Sequence, residues 1–351
     1  MQDNHKKGLI NKIKLIRYLI PLIFTGVAAA VLIFKISTIE DIINVIKSMS
    51  HKLICLSVVA QICSYLGSGF LLKVIMNINH SRLTIFRGVL ITMASASIGL
   101  AGGWVSSAAA TYYWVAKSDK DSGAAVLTGV LPALYNTVVL VVVTIIGMVY
   151  LQLNHELSKQ QIFVYGTILI IIATLIIVVI YIGIHREISK NLILDTKKII
   201  KRILKVDYDF NLILNNIDRF YSGMELIGKS SWIKPIFGSF MNISFDMITL
   251  YILFIASGCL VKPSILIAGY SLAFLLGRTV FIVPGGVGII EGGMAAVYTN
   301  LGIPNSVSVA AVLSYRLISF YIPSILGFVS MLYLKKSDIK NINNTYKINY
   351  L

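Results

Sequence analysis

The stretch that decides the fold is residues 281–301, which read F-I-V-P-G-G-V-G-I-I-E-G-G-M-A-A-V-Y-T-N-L. It lies within apolar sequence, yet it contains five glycines, one proline and one carboxylate. Proline lacks a backbone N–H and glycine weakens helices, and interrupted backbone at membrane depth is stable only where protein or a water-filled cavity surrounds it. The stretch therefore predicts a helical hairpin that breaks at Pro284, Gly285 and Gly286 and holds Glu291 inside the protein.

The composition is typical of a polytopic α-helical membrane protein. Of the 351 residues, 57% are hydrophobic and 13% are charged, whereas an ordinary soluble domain has roughly 25% charged residues. The 31 Lys and Arg outnumber the 15 Asp and Glu, which gives a net charge of +16. Because the basic residues lie mainly between apolar segments, we expect membrane lipids, and no nucleic acid, as partners.

Other classes of site are not predicted. The three cysteines lie in apolar segments and the five histidines are scattered over loops and tails, so the spacing of metal ligands is absent from the sequence. The sequence also has neither a nucleotide-binding P-loop nor a nucleophile and base at diagnostic spacing. We therefore expect no metal, no cofactor and no catalytic residue.

About six apolar segments are long enough to span a bilayer whose core is about 30 Å thick. They are residues 18–34, 53–72, 124–151, 162–184, 235–257 and 307–334. The basic N-terminal flank, the loop 185–234 with its ten Lys and Arg, and the pair Lys335 and Lys336 favour the cytoplasmic side. Both termini are therefore predicted to be cytoplasmic, in a bacterial-type plasma membrane.

Two further apolar segments begin and end on the same side of the membrane in this topology. Segment 88–116 enters from the cytoplasm and breaks at Gly102 and Gly103, whereas segment 264–301 enters from outside and breaks at Pro284 and the glycines that follow. Opposed hairpins with matched breaks are typical of inverted repeats, which place a binding site near the midplane. The alternative is that paired glycines recur by chance among the 26 glycines of the chain. The predicted fold class is an all-α polytopic membrane protein with an inverted repeat of two re-entrant hairpins.

The predicted organisation has four parts. Residues 1–184 form the first membrane half, 185–234 a basic cytoplasmic loop, 235–334 the second membrane half and 335–351 a basic cytoplasmic tail. Within the loop, residues 188–206 have the periodicity of an amphipathic helix with a basic face. Such a helix lies on an anionic leaflet or serves as a solvated linker, and the sequence leaves both open.

Four charged residues at membrane depth are the main candidates for a functional site, because each costs roughly 2.5–3.5 kcal/mol on insertion scales unless it has a partner or a purpose. They are Asp246, Arg278, Glu291 and Arg316. The alternative is that they form internal ion pairs that only fix helix register. Asn242 shares a helix face with Asp246, and Tyr315 precedes Arg316.

The corresponding region of the first hairpin is polar and aromatic but uncharged. It contains Ser106, Ser107, Thr111, Tyr112, Tyr113 and Trp114. These side chains line a path for a lipid head group or join helices to one another. From this region Ser106 and Tyr112 are predicted as residues of the substrate path, together with Gly102 and Gly103.

The motif P-G-G-V-G-I-I-E at residues 284–291, with Tyr315, Arg316 and Pro323, resembles a known family. The chain is similar to the transmembrane flippase domain of lysylphosphatidylglycerol synthases, the bacterial multiple peptide resistance factors, and to their stand-alone relatives. The resemblance implies that the signature positions are Pro284, Gly285, Gly286, Gly288, Glu291 and Arg316. The first half departs from the pattern P-G-x-x-G-E-x-x-R, since Ser106 and Ala109 replace its acid and arginine.

The resemblance implies a lipid translocator. In full-length members an aminoacyl-transferase domain follows the membrane part, whereas only residues 335–351 follow the last predicted span here. We therefore expect that domain to be absent, while the question of enzyme activity stays open. The alternatives are a membrane component of a phosphatidylglycerol lysyltransferase system and an embedded lipid-modifying enzyme with Asp246 or Glu291 as general base. The expected ligands are anionic or aminoacylated phospholipids, and a separate lipid synthase and a homodimer are the protein partners left open.

Overall fold

The computed structural model describes residues 36–78, 83–118, 123–154, 157–192, 194–195, 218, 221, 232–279 and 284–348. These residues contain helices, turns and coil but no strand. The α-helices, numbered in chain order, are α1 Ile36–Ser48, α2 His51–Ile78, α3 Ile85–Ser118, α4 Gly123–Leu153, α5 Lys159–Ile184, α6 Ile233–Ala256, α7 Pro263–Thr279, α8 Ile289–Asn300, α9 Asn305–Arg316 and α10 Ile322–Ile348. A 3₁₀ turn at Pro284–Gly286 precedes α8, and a π turn at Leu317–Tyr321 joins α9 to α10.

Four stretches within these described ranges are long and apolar enough to cross a membrane. They are His51–Asn77, Leu127–Leu153, Ile233–Ala256 and Asn305–Lys336. The 26-residue α5 coincides with a further predicted segment. The prediction of an all-α polytopic membrane protein is thus confirmed, whereas the predicted segment 18–34 lies outside the described residues and the total of six spans stays a prediction.

The first hairpin is α3, which folds back on itself as two antiparallel arms. Its backbone leaves helical geometry at Gly103, where φ is 71° and ψ is −165°, a conformation that only glycine adopts readily. Across this break Thr111 Oγ1 donates to Ser95 Oγ at 2.9 Å, and Ser106 Oγ donates to the carbonyl of Ile98 at 3.1 Å. Because both bonds join residues on opposite sides of the break, the two arms lie side by side.

The second hairpin consists of α7 and α8, which also run antiparallel. Tyr298 OH donates to the carbonyl of Leu266 at 2.9 Å. A Cβ added to Gly269 would lie 2.2 Å from the Tyr298 ring, and one added to Gly277 would lie 2.5 Å from the Ile290 side chain. These two glycines therefore set the close packing of the arms, which converge on the Pro284–Gly286 turn.

The hairpins enter the helix bundle from opposite ends. One end, here called the Met49 end, holds a buried cluster that includes Met49 and Ala256, and α7 begins shortly after Ala256. The other end holds a cluster that includes Leu83, Trp114 and Leu334, and these residues flank the base of α3. The base of the first hairpin therefore lies at the end of the bundle opposite to the base of the second.

The pairing of α2 with α6 is the most extensive contact between helices in the described residues. A Cβ on Gly67 would lie 2.6 Å from the backbone of Asn242, so the two backbones approach closely, as small residues allow in membranes. Asn242 Nδ2 donates to Ser64 Oγ at 2.9 Å, and Ser64 Oγ donates to the Asn242 carbonyl at 3.0 Å. This interface fixes α6, which carries Asp246, against α2.

Most of the predicted basic helix 188–206 lies outside the described residues. Residues 186–192 are helical, and both Arg186 and Lys190 form ion pairs with Asp218, at 2.7 Å and 2.9 Å. Hydrogen bonds from Lys190 and then Arg186 hold the pKa of Asp218 below its ordinary value. These contacts tie the start of the loop to its later part, while the division of the chain into four parts stays a prediction.

Candidate functional site

Glu291 and Arg316 form an ion pair beside the break of the second hairpin. Arg316 Nε donates to Glu291 Oε1 at 2.7 Å, and the arginine and glutamate side chains are 3% and 11% exposed. The N–H of Gly288 donates to Glu291 Oε2 at 2.7 Å, so the carboxylate lies at the N-terminus of α8, where the helix dipole favours negative charge. Both carboxylate oxygens are thus engaged by groups of the protein itself.

The ion pair also connects the elements around the break. Arg316 Nη2 donates to the carbonyl of Gly285 at 3.1 Å, and its guanidinium carbon lies 4.3 Å from the centre of the Phe320 ring. Tyr321 OH donates to Glu291 Oε1 at 3.2 Å. The pair therefore holds α9 and the π turn against the start of α8 and the 3₁₀ turn.

Asp246 on α6 is held by tyrosine hydroxyls. Tyr270 OH on α7 donates to its Oδ2 at 2.7 Å, and Tyr315 OH on α9 donates to the same oxygen at 2.5 Å. Three helices, α6, α7 and α9, thus meet at Asp246, whose carboxyl group accepts hydrogen bonds from two neutral hydroxyls.

Arg278 lies near the end of α7 and is fixed to α4. Its Nη1 donates to the carbonyl of Ala133 at 2.9 Å and to Thr137 Oγ1. A guanidinium has five N–H donors in a rigid fork, and these two bonds use only Nη1. Three N–H donors, on Nε and Nη2, are not used by them.

A cavity of about 520 Å³ lies between the two hairpins and α4. It is lined by Ser68, Leu71, Leu72, Thr92, Ser95, Trp104, Ser107, Ala108, Thr111, Thr128, Gly129, Val130, Pro132, Ala133, Leu134, Asn136, Thr137, Leu175, Phe274, Leu275 and Arg278. The volume is in the range of sites for small molecules, about 300–1,000 Å³. The wall is mainly apolar, with hydroxyl and amide groups from the first hairpin and α4 and the one guanidinium.

The cavity lies close to the breaks of both hairpins. Trp104 directly follows the break of the first hairpin, Arg278 lies near the end of α7, and the Pro284–Gly286 turn packs against α3. Trp104 and Leu175 are 43% and 49% exposed. The cavity wall therefore reaches the surface of the bundle between α3 and α5.

The structure distributes the predicted site residues over four places, which are the cavity, the two breaks and the packed helices. Arg278 lines the cavity; Gly102 and Gly103 form the first break, and Pro284, Gly285, Gly286 and Gly288 form the second. Asp246, Glu291, Arg316, Tyr315 and Asn242 lie among packed helices and are not part of the cavity lining described above. Their predicted contact with a substrate stays a prediction.

The two predicted residues of the first hairpin have other contacts. The one O–H of Ser106 is shared between the carbonyl of Gly103, at 2.8 Å, and that of Ile98, at 3.1 Å, so it caps the break. Tyr112 packs against the buried cluster at the base of the hairpin. Instead, Ser107 and Thr111, which are four residues apart and share a helix face, line the cavity.

Sequence reasoning missed the contribution of α4. Asn136 and Thr137 are cavity residues, and Thr137 also binds Arg278. The available signal was a pair of polar residues within a span otherwise rich in valine and isoleucine, four and five positions after Pro132. A proline inside a membrane helix often marks irregular packing, and Pro132 itself lines the cavity.

The described lining provides donors for an anion in an apolar wall. It contains one arginine and no aspartate, glutamate, histidine, lysine or cysteine. The described residues also contain no group of three His, Cys, Asp or Glu side chains that could hold a metal ion. A general base next to a reactive group is therefore not found in the lining as described.

Comparisons with known proteins agree with the residue motifs. A family described as "Lysylphosphatidylglycerol synthase TM region" matches residues 19–327. A UPF0104 membrane protein of Methanocaldococcus jannaschii is 32% identical over 155 residues, which cover 42% of this chain and 46% of that protein. A UPF0104 membrane protein of Methanothermobacter thermautotrophicus is 27% identical over 203 residues, covering 56% and 59%. The chain spans about half the length of the curated relatives that it matches.

Proposed function

Because the chain belongs to the family of the lysylphosphatidylglycerol synthase transmembrane region, we propose that it translocates a phospholipid or a modified lipid between the leaflets of the membrane. The observation that carries this proposal is the cavity of about 520 Å³ between two hairpins that enter the bundle from opposite ends. Broken helices that meet inside a membrane protein are the usual surroundings of a transported substrate.

Three features of the cavity support a lipid as the substrate. Its leucine-rich wall suits acyl chains, and its hydroxyl and amide groups suit a polar head group. The half-exposed Trp104 and Leu175 place its wall at the bundle surface, so that a lipid enters from the bilayer rather than from water. The lack of a general base in the described lining favours transport over lipid modification.

The proposed translocator lies in the plasma membrane of a bacterial-type cell with both termini in the cytoplasm, because its basic loops favour that side. A separate synthase would supply a modified lipid if the substrate is one, and the predicted basic helix 188–206 is the surface on which we expect such a synthase to bind. A homodimer is the other protein partner that we propose. These partners are part of the proposal.

Filling the cavity tests the proposal. The protein is reconstituted into vesicles that contain fluorescent phospholipids, and the accessible fraction of the dye is followed after addition of an impermeant quencher. We expect Ser107→Phe to reduce translocation towards the level of protein-free vesicles, because the ring occupies the path. The matched control is Val105→Phe on the same arm, since Val105 is 56% exposed and lies outside the cavity lining.

Two results would contradict the proposal. The first is wild-type protein that moves no phospholipid faster than protein-free vesicles do. The second is a Ser107→Phe protein that folds and translocates as fast as the Val105→Phe protein, since the cavity would then not be the path.

A further inference from the structure

We propose that the cavity selects lipids whose head group is an anionic phosphate ester with a free hydroxyl, and that it discriminates against cationic, aminoacylated head groups. This inference rests on the proposed function, since it names the substrate class of the same cavity. The inferred preference differs from the one that the family description suggests. The lysyl head group in that description carries two ammonium groups.

The charge of the cavity favours an anionic head group. Arg278 is the one charged side chain of the described lining, and a guanidinium stays protonated in proteins. In a mainly apolar wall its charge is weakly screened, so it attracts an anion and repels an ammonium group. A cationic head group would need a carboxylate in the same cavity.

The two nearby carboxylates are engaged elsewhere. Both oxygens of Glu291 are bound, by Arg316, Tyr321 and the N–H of Gly288. Asp246 accepts from two tyrosine hydroxyls. Neither belongs to the described cavity lining, so a lysyl group placed in the cavity would meet the guanidinium without a compensating acid.

The geometry of the N–H donors of Arg278 favours a phosphate group. The bonds of Arg278 Nη1 to Ala133 and Thr137 fix the guanidinium, and its Nε and Nη2 supply the edge that binds two phosphate oxygens in a bidentate manner. A fixed fork loses little side-chain entropy when it binds, which favours phosphate over a diffuse anion.

Asn136 supplies a hydrogen-bond acceptor in the cavity. It lines the cavity next to Thr137, and its buried Oδ1 has no hydrogen-bond partner among the described residues. A buried acceptor without a donor is unfavourable by about the desolvation energy of that group. A hydroxyl group on the bound molecule, such as that of a glycerol or sugar head group, donates to this oxygen.

The apolar wall of the cavity favours a lipid over a free phosphate. Leu71, Leu72, Leu134 and Phe274 supply wall area that a soluble phosphate ester would leave uncovered. Burial of acyl chain against these side chains adds to the affinity of the lipid through the hydrophobic effect.

Binding to the purified protein tests the inference separately from transport. The probes are phosphatidylglycerol and lysylphosphatidylglycerol with the same acyl chains, and sn-glycerol 3-phosphate as the soluble phosphate. Retention is measured by native mass spectrometry and titration in detergent. We expect the wild type to bind phosphatidylglycerol more tightly than the lysyl lipid by about tenfold or more, as coupling between close, desolvated charges implies.

Variants at Arg278 assign the preference to its charge. Arg278→Gln should remove the preference and Arg278→Lys should keep most of it, while Arg278→Glu should shift the preference towards the lysyl lipid. The control for loss of one positive charge is Lys52→Gln, since Lys52 is exposed near the start of α2. Asn136→Leu should weaken binding of phosphatidylglycerol more than binding of a phosphatidate without the glycerol hydroxyls.

The outcomes separate the inference from the proposed function. Equal or tighter binding of the lysyl lipid by the wild type overturns the inference, even if the protein translocates lipids. A preference for phosphatidylglycerol that survives in Arg278→Gln also overturns it. Binding of glycerol phosphate as tight as that of the lipid overturns its lipid part. Selective lipid binding without any translocation would instead contradict only the proposed function.

Discussion

At the scale of single residues, the buried charges have two different kinds of partner. Glu291 is paired with Arg316, whereas Asp246 is held by the hydroxyls of Tyr270 and Tyr315. A buried charge without a partner is strongly unfavourable. Each of these side chains therefore depends on the groups around it, and each dependence gives a measurable prediction.

The first prediction concerns the ion pair. Glu291→Gln should lower the free energy of unfolding by about 3–5 kcal/mol, because it leaves the guanidinium of Arg316 buried without a counter-charge. The measurement is thermal and denaturant unfolding in detergent, with Glu187→Gln, an exposed residue, as control. The double variant Glu291→Gln with Arg316→Met should be more stable than the sum of the single effects implies. A loss of unfolding free energy no larger than that of Glu187→Gln would contradict the stabilising role of the ion pair.

The second prediction concerns the hydroxyls around Asp246. Tyr315→Phe should destabilise the protein by about 1–3 kcal/mol, because the carboxyl oxygen loses its 2.5 Å donor in a buried site. Tyr333→Phe is the matched control, since Tyr333 is 58% exposed on α10. The same unfolding measurements apply, and equal stabilities of the two variants would refute the assignment of Tyr315 as a required donor.

At the scale of the elements, the two hairpins depend on glycine in different ways. In the second hairpin, Gly269 and Gly277 allow the arms to touch, because a Cβ there would overlap Tyr298 or Ile290. In the first hairpin, Gly103 supplies a positive φ that turns the chain back. One type of residue therefore sets the spacing of one hairpin and the direction of the other.

The third prediction tests the first break. Gly103→Ala should destabilise the protein by about 1–3 kcal/mol, because φ of 71° with ψ of −165° is strained for any residue with a Cβ. Gly166→Ala in α5 is the control, since a Cβ there meets nothing within 4 Å and alanine favours the helix by about 1 kcal/mol. Unfolding of both variants is compared with wild type. Similar effects of the two changes would mean that the break is not needed for stability.

At the scale of the whole molecule, the bases of the hairpins lie at opposite ends of the bundle, and the loop charges predict which end faces the cytoplasm. Lys117 lies at the base of the first hairpin and Lys262 just before the second. The basic loops favour the cytoplasm. The side of each base is therefore open to direct measurement.

The fourth prediction assigns the two sides. In a variant whose three cysteines are replaced by serine, Lys262→Cys should react with an impermeant thiol reagent in intact cells. Lys117→Cys should react only after the membrane is permeabilised. Each cysteine variant is first shown to react fully in detergent, which controls for local burial. Labelling of both sites from the same side would contradict the opposed arrangement.

The local sequence was sufficient to predict the apolar helices of the described residues and the two breaks, whereas it did not predict the short helix α1 or the π turn. The length of each apolar run predicts a span, and Pro284 with the adjacent glycines predicts a break, because both depend on local backbone chemistry. The loop charges then predicted that two segments return to the side from which they start, and the structure contains both hairpins. The motif that begins at Pro284 was also enough to identify the family.

Only the tertiary structure decided which polar groups share the cavity. Adjacent residues on a helix differ in direction by about 100°, so the sequence could not tell that Ser107 lines the cavity while Ser106 caps the break. The sequence likewise pointed to Glu291 as the main candidate, but in the structure Glu291 forms an ion pair with Arg316. The charged residue of the cavity wall is instead Arg278, because of the way α7 is rotated against α4. Spans and breaks follow from local chemistry, but the contents of the cavity follow from how helices distant in sequence are rotated and packed.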